Sequence, residues 1–141
     1  MQPKMITQLK EIVQQANPDY HVHFEESAMM NIFADDVRRD EGFAYIEEYT
    51  TGRYTKEKYF HQKITRVQIY FCRFCELHAG AEAREEVREK IETEIVLPFM
   101  AAFNTSGFEQ VKIFEFFTPL PRFDANEVSI MLRFDLIHQL C

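Results

Sequence analysis

Two cysteines three positions apart, Cys72 and Cys75, precede His78 in the stretch from Val67 to His78, which reads VQIYFCRFCELH. A CxxC pair with a nearby histidine suits a metal knuckle, because thiolate and imidazole ligate zinc, or a redox couple, because paired thiols exchange with disulfides. Either chemistry needs both sulfurs on one side of the chain. The surrounding residues, Lys63 to Cys75, are rich in β-branched and aromatic types and predict a long strand. Side chains alternate across a strand, so Cys72 falls on the side of Gln68 and Tyr70, and Cys75 falls on the other. Structural zinc also takes four ligands, and no second pair accompanies this one. Cys141 lies far off at the end of the sequence, and His21, His23 and His61 are scattered. A redox pair belongs at a helix N-terminus, whereas Glu76 to Gly80 separates these cysteines from the next helical stretch. We read Cys72 and Cys75 as strand cysteines, keep Cys72, Cys75 and His78 as a secondary metal reading, and expect no cofactor.

The remaining chemistry-bearing residues are sparser. His21 and His23 face one way in a strand but lack an evident third ligand. The acidic pairs Glu25 with Glu26, Asp35 with Asp36, Asp40 with Glu41 and Glu47 with Glu48 are adjacent in sequence. Acid–base carboxylates instead need opposed positions in unlike environments, so these pairs read as solvated faces or loops. No triad spacing, glycine-rich phosphate loop or HExxH gives positive ground for an enzyme. One basic, aromatic-laced patch stands out: Arg53, Tyr54, Lys56, Lys58, Tyr59, Phe60, His61 and Lys63. Tyr and Arg are favoured where proteins meet, so the patch is either a contact surface for an acidic partner or another subunit, or a solvated loop tip. A second aromatic run, Phe114, Phe116 and Phe117, places rings on both faces of a strand. That serves a thick core or a surface that meets another chain.

The elements that must position these residues fit one domain of 141 residues. Hydrophobic residues make up 46% and charged residues 28%, a balance that supports a folded core. The formal net charge of −7 disfavours nucleic-acid binding, which relies on clustered cations. No apolar run approaches the length of a membrane span, and the first residues lack the apolar core of a signal peptide. With an odd number of cysteines, three, this predicts a reducing, cytoplasmic setting. There are 14 phenylalanines and 4 glycines, which implies either a bulky core or an adhesive surface.

Periodicity predicts a first helix over Met5–Ala16, with Ile6, Leu9, Ile12 and Val13 on one face. Asn17-Pro18 ends it. Short strands follow at Tyr20–Phe24 and Ala28–Ala34, then a charged loop at Asp35–Gly42. Phe43–Thr50 is a strand with neither face cleanly apolar. A polar loop around Gly52, Thr51–Gln62, leads into the long strand Lys63–Cys75. Ala81–Phe103 is the strongest helix, with an apolar stripe at Val87, Ile91, Ile95, Phe99, Ala102 and Phe103, and Pro98 predicts a kink or break near Glu94–Leu97. Strands at Phe108–Phe117 and Glu127–Ile137 close the chain. In the last of these, Val128, Ile130, Leu132, Phe134 and Leu136 alternate with Ser129, Met131, Arg133 and Asp135, one face buried and one largely wet. The expected fold is α+β: an antiparallel sheet covered by an N-terminal helix and one long helix, in the order α-β-β-β-β-α-β-β.

That order resembles the tail-terminator and tail-completion proteins of phages and prophages. The resemblance is carried by the amphipathic helix Ile6–Val13, the strand pair at Phe43–Tyr49 and Ile64–Phe71, the single long helix Ala81–Phe103, and the closing strand Val128–Leu136. It implies an α+β subunit in a ring that caps a tail tube, located in the virion, with other tail proteins as partners and no catalytic residues. It transfers no individual residue. The expected function is a non-enzymatic, homo-oligomeric assembly protein whose contacts are Arg53, Tyr54, Lys56, Lys58, Tyr59, Phe60, Phe114 and Phe116. The alternative is a small-molecule-binding or enzymatic domain with its pocket between the sheet and the long helix.

Overall fold

The computed structural model describes residues 3–16, 21–25, 42–47, 51–75, 80–105, 113–118 and 127–140. The fold is α+β in the expected order. Helix α1 (Pro3–Ala16) is followed by strands β1 (His21–Glu25), β2 (Gly42–Glu47), β3 (Gly52–Lys56) and β4 (Phe60–Phe74). The long helix comes next as α2 (Ala81–Ile91), a π-helical turn (Glu92–Val96) and α3 (Leu97–Asn104), and strands β5 (Glu115–Phe117) and β6 (Glu127–Gln139) complete the chain. The strands expected at Ala28–Ala34 and the loop at 35–41 lie outside the described residues, as does the start of the strand expected from Phe108.

The six strands form one sheet in the order β1-β2-β4-β6-β5, with β3 also paired to β4. Its spine is the antiparallel ladder of β4 and β6, which runs from Phe74 opposite Glu127 to Gln62 opposite Gln139. Among the described residues every pairing is antiparallel except that of β1 with β2, which is parallel. The sixteen residues between Glu25 and Gly42 explain that exception, since a parallel neighbour needs a connection of about a dozen residues or more.

β2 and β3 lie one after the other along the same side of β4. The segment expected to be a polar loop, Thr51–Gln62, is thus mostly ladder: Gly52 to Lys56 pairs with Thr65 to Phe60, and only Glu57 to Tyr59 turns. Charged side chains hide this strand in the sequence, because its backbone is held by β4 and neither of its faces is buried. Gly52 permits the close approach at its start. A β-carbon there would meet the Ile64 carbonyl oxygen at 2.7 Å.

One face of the sheet packs under the helices. Ala44 and Ile46 of β2, Val67, Ile69 and Phe71 of β4, and Val128 to Leu136 at alternate positions of β6 are buried there. This settles the faces of β2, since Tyr45 points the other way and stacks on Tyr70 at 5.9 Å. From the helices come Leu9, Ile12 and Val13 of α1 and Ile91, Ile95, Val96, Phe99 and Phe103 of the long helix. Phenylalanine rings fill the middle: Phe99 lies 5.5 Å from Phe71 and 5.8 Å from Phe103, and Phe103 lies 5.3 Å from Phe134.

The π turn follows from the spacing of that helical stripe. Val87, Ile91, Ile95, Phe99 and Phe103 recur every four residues, and at 3.6 residues per turn each step overshoots by about 40°. From Val87 to Phe103 the drift in a uniform α-helix reaches about 160°, which would turn Phe103 away from the core. A π turn takes up one extra residue and removes about 100° of that drift. The Leu97 N–H accordingly bonds to the Glu92 carbonyl five residues back. The break expected from Pro98 is therefore a re-phasing turn just before it, and the helix resumes at Leu97 with the proline in its first turn.

Candidate functional site

The ladder of β4 and β6 outruns its helical cover. Burial extends as far as Ile64 on β4 and Leu136 on β6. Past these points β3, the start of β4 and the end of β6 continue as an arm, about 13 Å long at 3.3 Å per residue from Ile64 to Phe60 and closed by the bend Glu57–Tyr59. The ladder holds to its end, where the Leu140 N–H donates to the His61 carbonyl at 3.0 Å. The Thr55 hydroxyl donates to Gln62 Oε1 at 3.2 Å across β3 and β4.

The arm gathers six of the eight residues expected from sequence to make contacts. Tyr54, Tyr59 and Phe60 are 59%, 62% and 56% exposed, and Arg53, Lys56 and Lys58 are exposed around them. The pairing skips His61 between Thr55–Gln62 and Lys56–Phe60, which places Phe60 directly across from Lys56. The rings of Tyr54 and Phe60 meet edge to face at 6.4 Å, and Lys56 Nζ sits 5.5 Å from the centre of the Phe60 ring. These contacts brace the three side chains against one another and give the exposed aromatic surface a defined shape.

The other two expected contact residues part company. Phe114 is half-buried, 4.8 Å from Phe134 and 5.4 Å from Phe103, and so belongs to the ring cluster of the core. Phe116 is 68% exposed on β5, and Ile113 and Phe117, near it in sequence, are exposed as well. Arg133 stacks over Phe117 at 4.3 Å.

The two cysteines lie on opposite faces of the sheet, as strand alternation requires. Cys75 is buried in the core beneath the helices, and Cys72 is buried on the other face with Tyr45, Tyr70 and Ser129. Neither is in a disulfide. His78, the third member of the metal reading, lies outside the described residues, and the side chains of His21 and His23 do so as well. Among the described residues no group of three or more His, Cys, Asp or Glu is placed to hold a metal ion.

At the root of the arm an open depression of about 160 Å³ is lined by Thr51, Gly52, Arg53, Ile64, Arg66 and Asp135. The Arg66 N–H holds the Thr51 carbonyl at 2.8 Å, and its guanidinium reaches Asp135 Oδ1 at 3.2 Å. Asp135 is the only carboxylate of the lining and Arg66 neutralises it, so the depression offers an ion pair and no acid–base couple. Sequence reading missed this pair because 69 residues separate its members and only the register of β4 and β6 joins them. No helix among the described residues is long and apolar enough to cross a membrane. No protein-family model matches the chain, and no curated protein matches it closely enough to count as a relative.

Proposed function

We propose that this chain is a non-enzymatic assembly protein, a phage-like tail or neck component that forms a homo-oligomeric ring, with the β3–β4 arm as its main contact. One observation carries the reading: three large aromatic side chains, Tyr54, Tyr59 and Phe60, stand exposed and ringed by cations on a hydrogen-bonded projection. Rigid, exposed aromatic and cationic groups of this kind supply the anchors of protein interfaces. The resemblance of element order to tail-terminator proteins adds the expectation of a closed ring with other tail proteins as partners. Where a ligand-binding domain would keep a pocket, between the sheet and the long helix, Phe71, Phe99, Phe103 and Phe134 pack ring against ring.

Light scattering on the purified chain tests the proposal. The expected result is an oligomer of defined size that dissociates when Tyr54 and Phe60 are replaced by serine. A monomer at high concentration that also binds no tail protein would overturn it.

A further inference from the structure

Charge distribution identifies what receives the arm. Residues 51–63 carry four basic residues, Arg53, Lys56, Lys58 and Lys63, against Glu57 alone, a net of +3 in a chain of −7, so the remainder bears −10. The long helix concentrates part of that deficit. Residues 82–94 hold six glutamates against Arg84, Arg88 and Lys90, a net of −3. Glu82, Glu86, Glu89 and Glu92 are exposed, with Lys90 the one exposed cation among them, while Arg84 and Arg88 are half-buried and Arg88 engages Glu85 at 3.2 Å. Leu97 stands at the end of this acidic row, 47% exposed. The π turn puts it there: its N–H bonds to the Glu92 carbonyl, so Leu97 follows Glu92 one widened turn later, with Ala101 exposed one turn on. The arm has aromatic side chains flanked by basic ones, and the helix has an acidic row that runs up to an exposed aliphatic side chain.

We infer that the arm of one copy docks across the outer face of the long helix of a second copy. Tyr54 and Phe60 cover Leu97, and Lys56 and Lys58 lie toward Glu89 and Glu92. This rests on the assembly reading and names the partner surface within it. Opposite charge on the two surfaces steers the encounter and fixes its polarity. Because the surfaces differ, the contact is heterologous, and repeated contacts close a ring or extend a filament.

The test is charge reversal on the full chain, followed by light scattering over a concentration series. K56E/K58E and E89K/E92K are each expected to weaken assembly at least tenfold in dissociation constant. All four substitutions in one chain restore it, because the pairing is re-formed with signs exchanged. Raising the salt concentration weakens wild-type assembly, since exposed charge pairs are screened. L97S supplies an uncharged check and is expected to weaken assembly without lowering the unfolding temperature measured at a concentration where both chains are monomeric. If either reversed pair assembles like wild type, or if the fourfold variant does no better than the pairs, the helix is not the receiver. The arm then meets another surface, such as the β5 edge, and the assembly reading stands. A wild-type chain that stays monomeric overturns both.

Discussion

Deleting Thr93 tests the account of the π turn. If that turn exists to absorb one surplus residue, removing the residue converts it to α-helix and leaves Val87 and Phe103 about 60° apart, as they are now. Thr93 suits the deletion because it is exposed and its hydroxyl bonds only within the helix, to the Glu89 carbonyl at 2.6 Å. Two costs remain. Glu94 moves one position and gives up its 2.7 Å contact with Arg73, an exposed pair worth at most about 1 kcal/mol. Pro98 becomes interior to a continuous α-helix, where the missing N–H and the ring cost about 3 kcal/mol. The deletion alone should therefore cost about 3–4 kcal/mol, and the deletion combined with Pro98→Ala about 1 kcal/mol or less. Inserting one alanine after Thr93 does the opposite. It turns Phe99 and Phe103 by about 100°, and both rings are buried. At about 3–5 kcal/mol for each lost phenylalanine, the insertion removes 6 kcal/mol or more, much of the stability of a typical domain. Urea unfolding with a fixed m-value measures all three variants. The reasoning fails if the deletion with Pro98→Ala is as damaging as the insertion.

Two further outcomes follow from the sheet. Gly52→Ala should destabilise by about 1–2 kcal/mol, since overpacking against the Ile64 carbonyl costs about 1–3 kcal/mol and the stiffer unfolded chain returns about 0.4–1 kcal/mol; unchanged thermal unfolding together with unchanged amide exchange in β3 would contradict it. Cys72 and Cys75 should resist a thiol reagent until the protein unfolds and should not form an internal disulfide under oxidant, because both are buried and they face opposite sides of the sheet; rapid modification of either in the native state would refute the placement.

Much of the fold was legible because the strongest elements repeat cleanly. β6 alternates without interruption, and its even-numbered residues do form the helix-facing core. Its other face was read as largely wet. Arg133 and Asp135 fit that reading, but Ser129 and Met131 are buried, because alternation tells which residues share a face and not how far the cover of that face extends. The aromatic composition leaves two readings open, a bulky core or an adhesive surface; the structure shows the core, with Phe71, Phe99, Phe103 and Phe134 inside, and leaves Phe60 and Phe116 exposed. Of the candidate contact residues, Arg53 to Phe60 stand out by type alone, since cations interleaved with aromatics on an acidic chain are unusual wherever the backbone goes, and the structure leaves them exposed together. Phe114 and Phe116 could not be told apart, because which of two residues on one strand face meets the core depends on where the helix ends above them.

The arm's build also bears on the proposed contact. A β-ribbon that extends past its core offers two surfaces, a free backbone edge and its side chains. An exposed edge invites strand addition, and proteins block this with charges and short strands. The arm's edge strand β3 is five residues long and carries Arg53 and Lys56, so it is a poor template for a further strand. Tyr54, Phe60 and Lys56, by contrast, are braced against one another on the arm's face. On the proposed assembly reading, contact through these side chains favours a helix surface as the receiver over a strand added at β3.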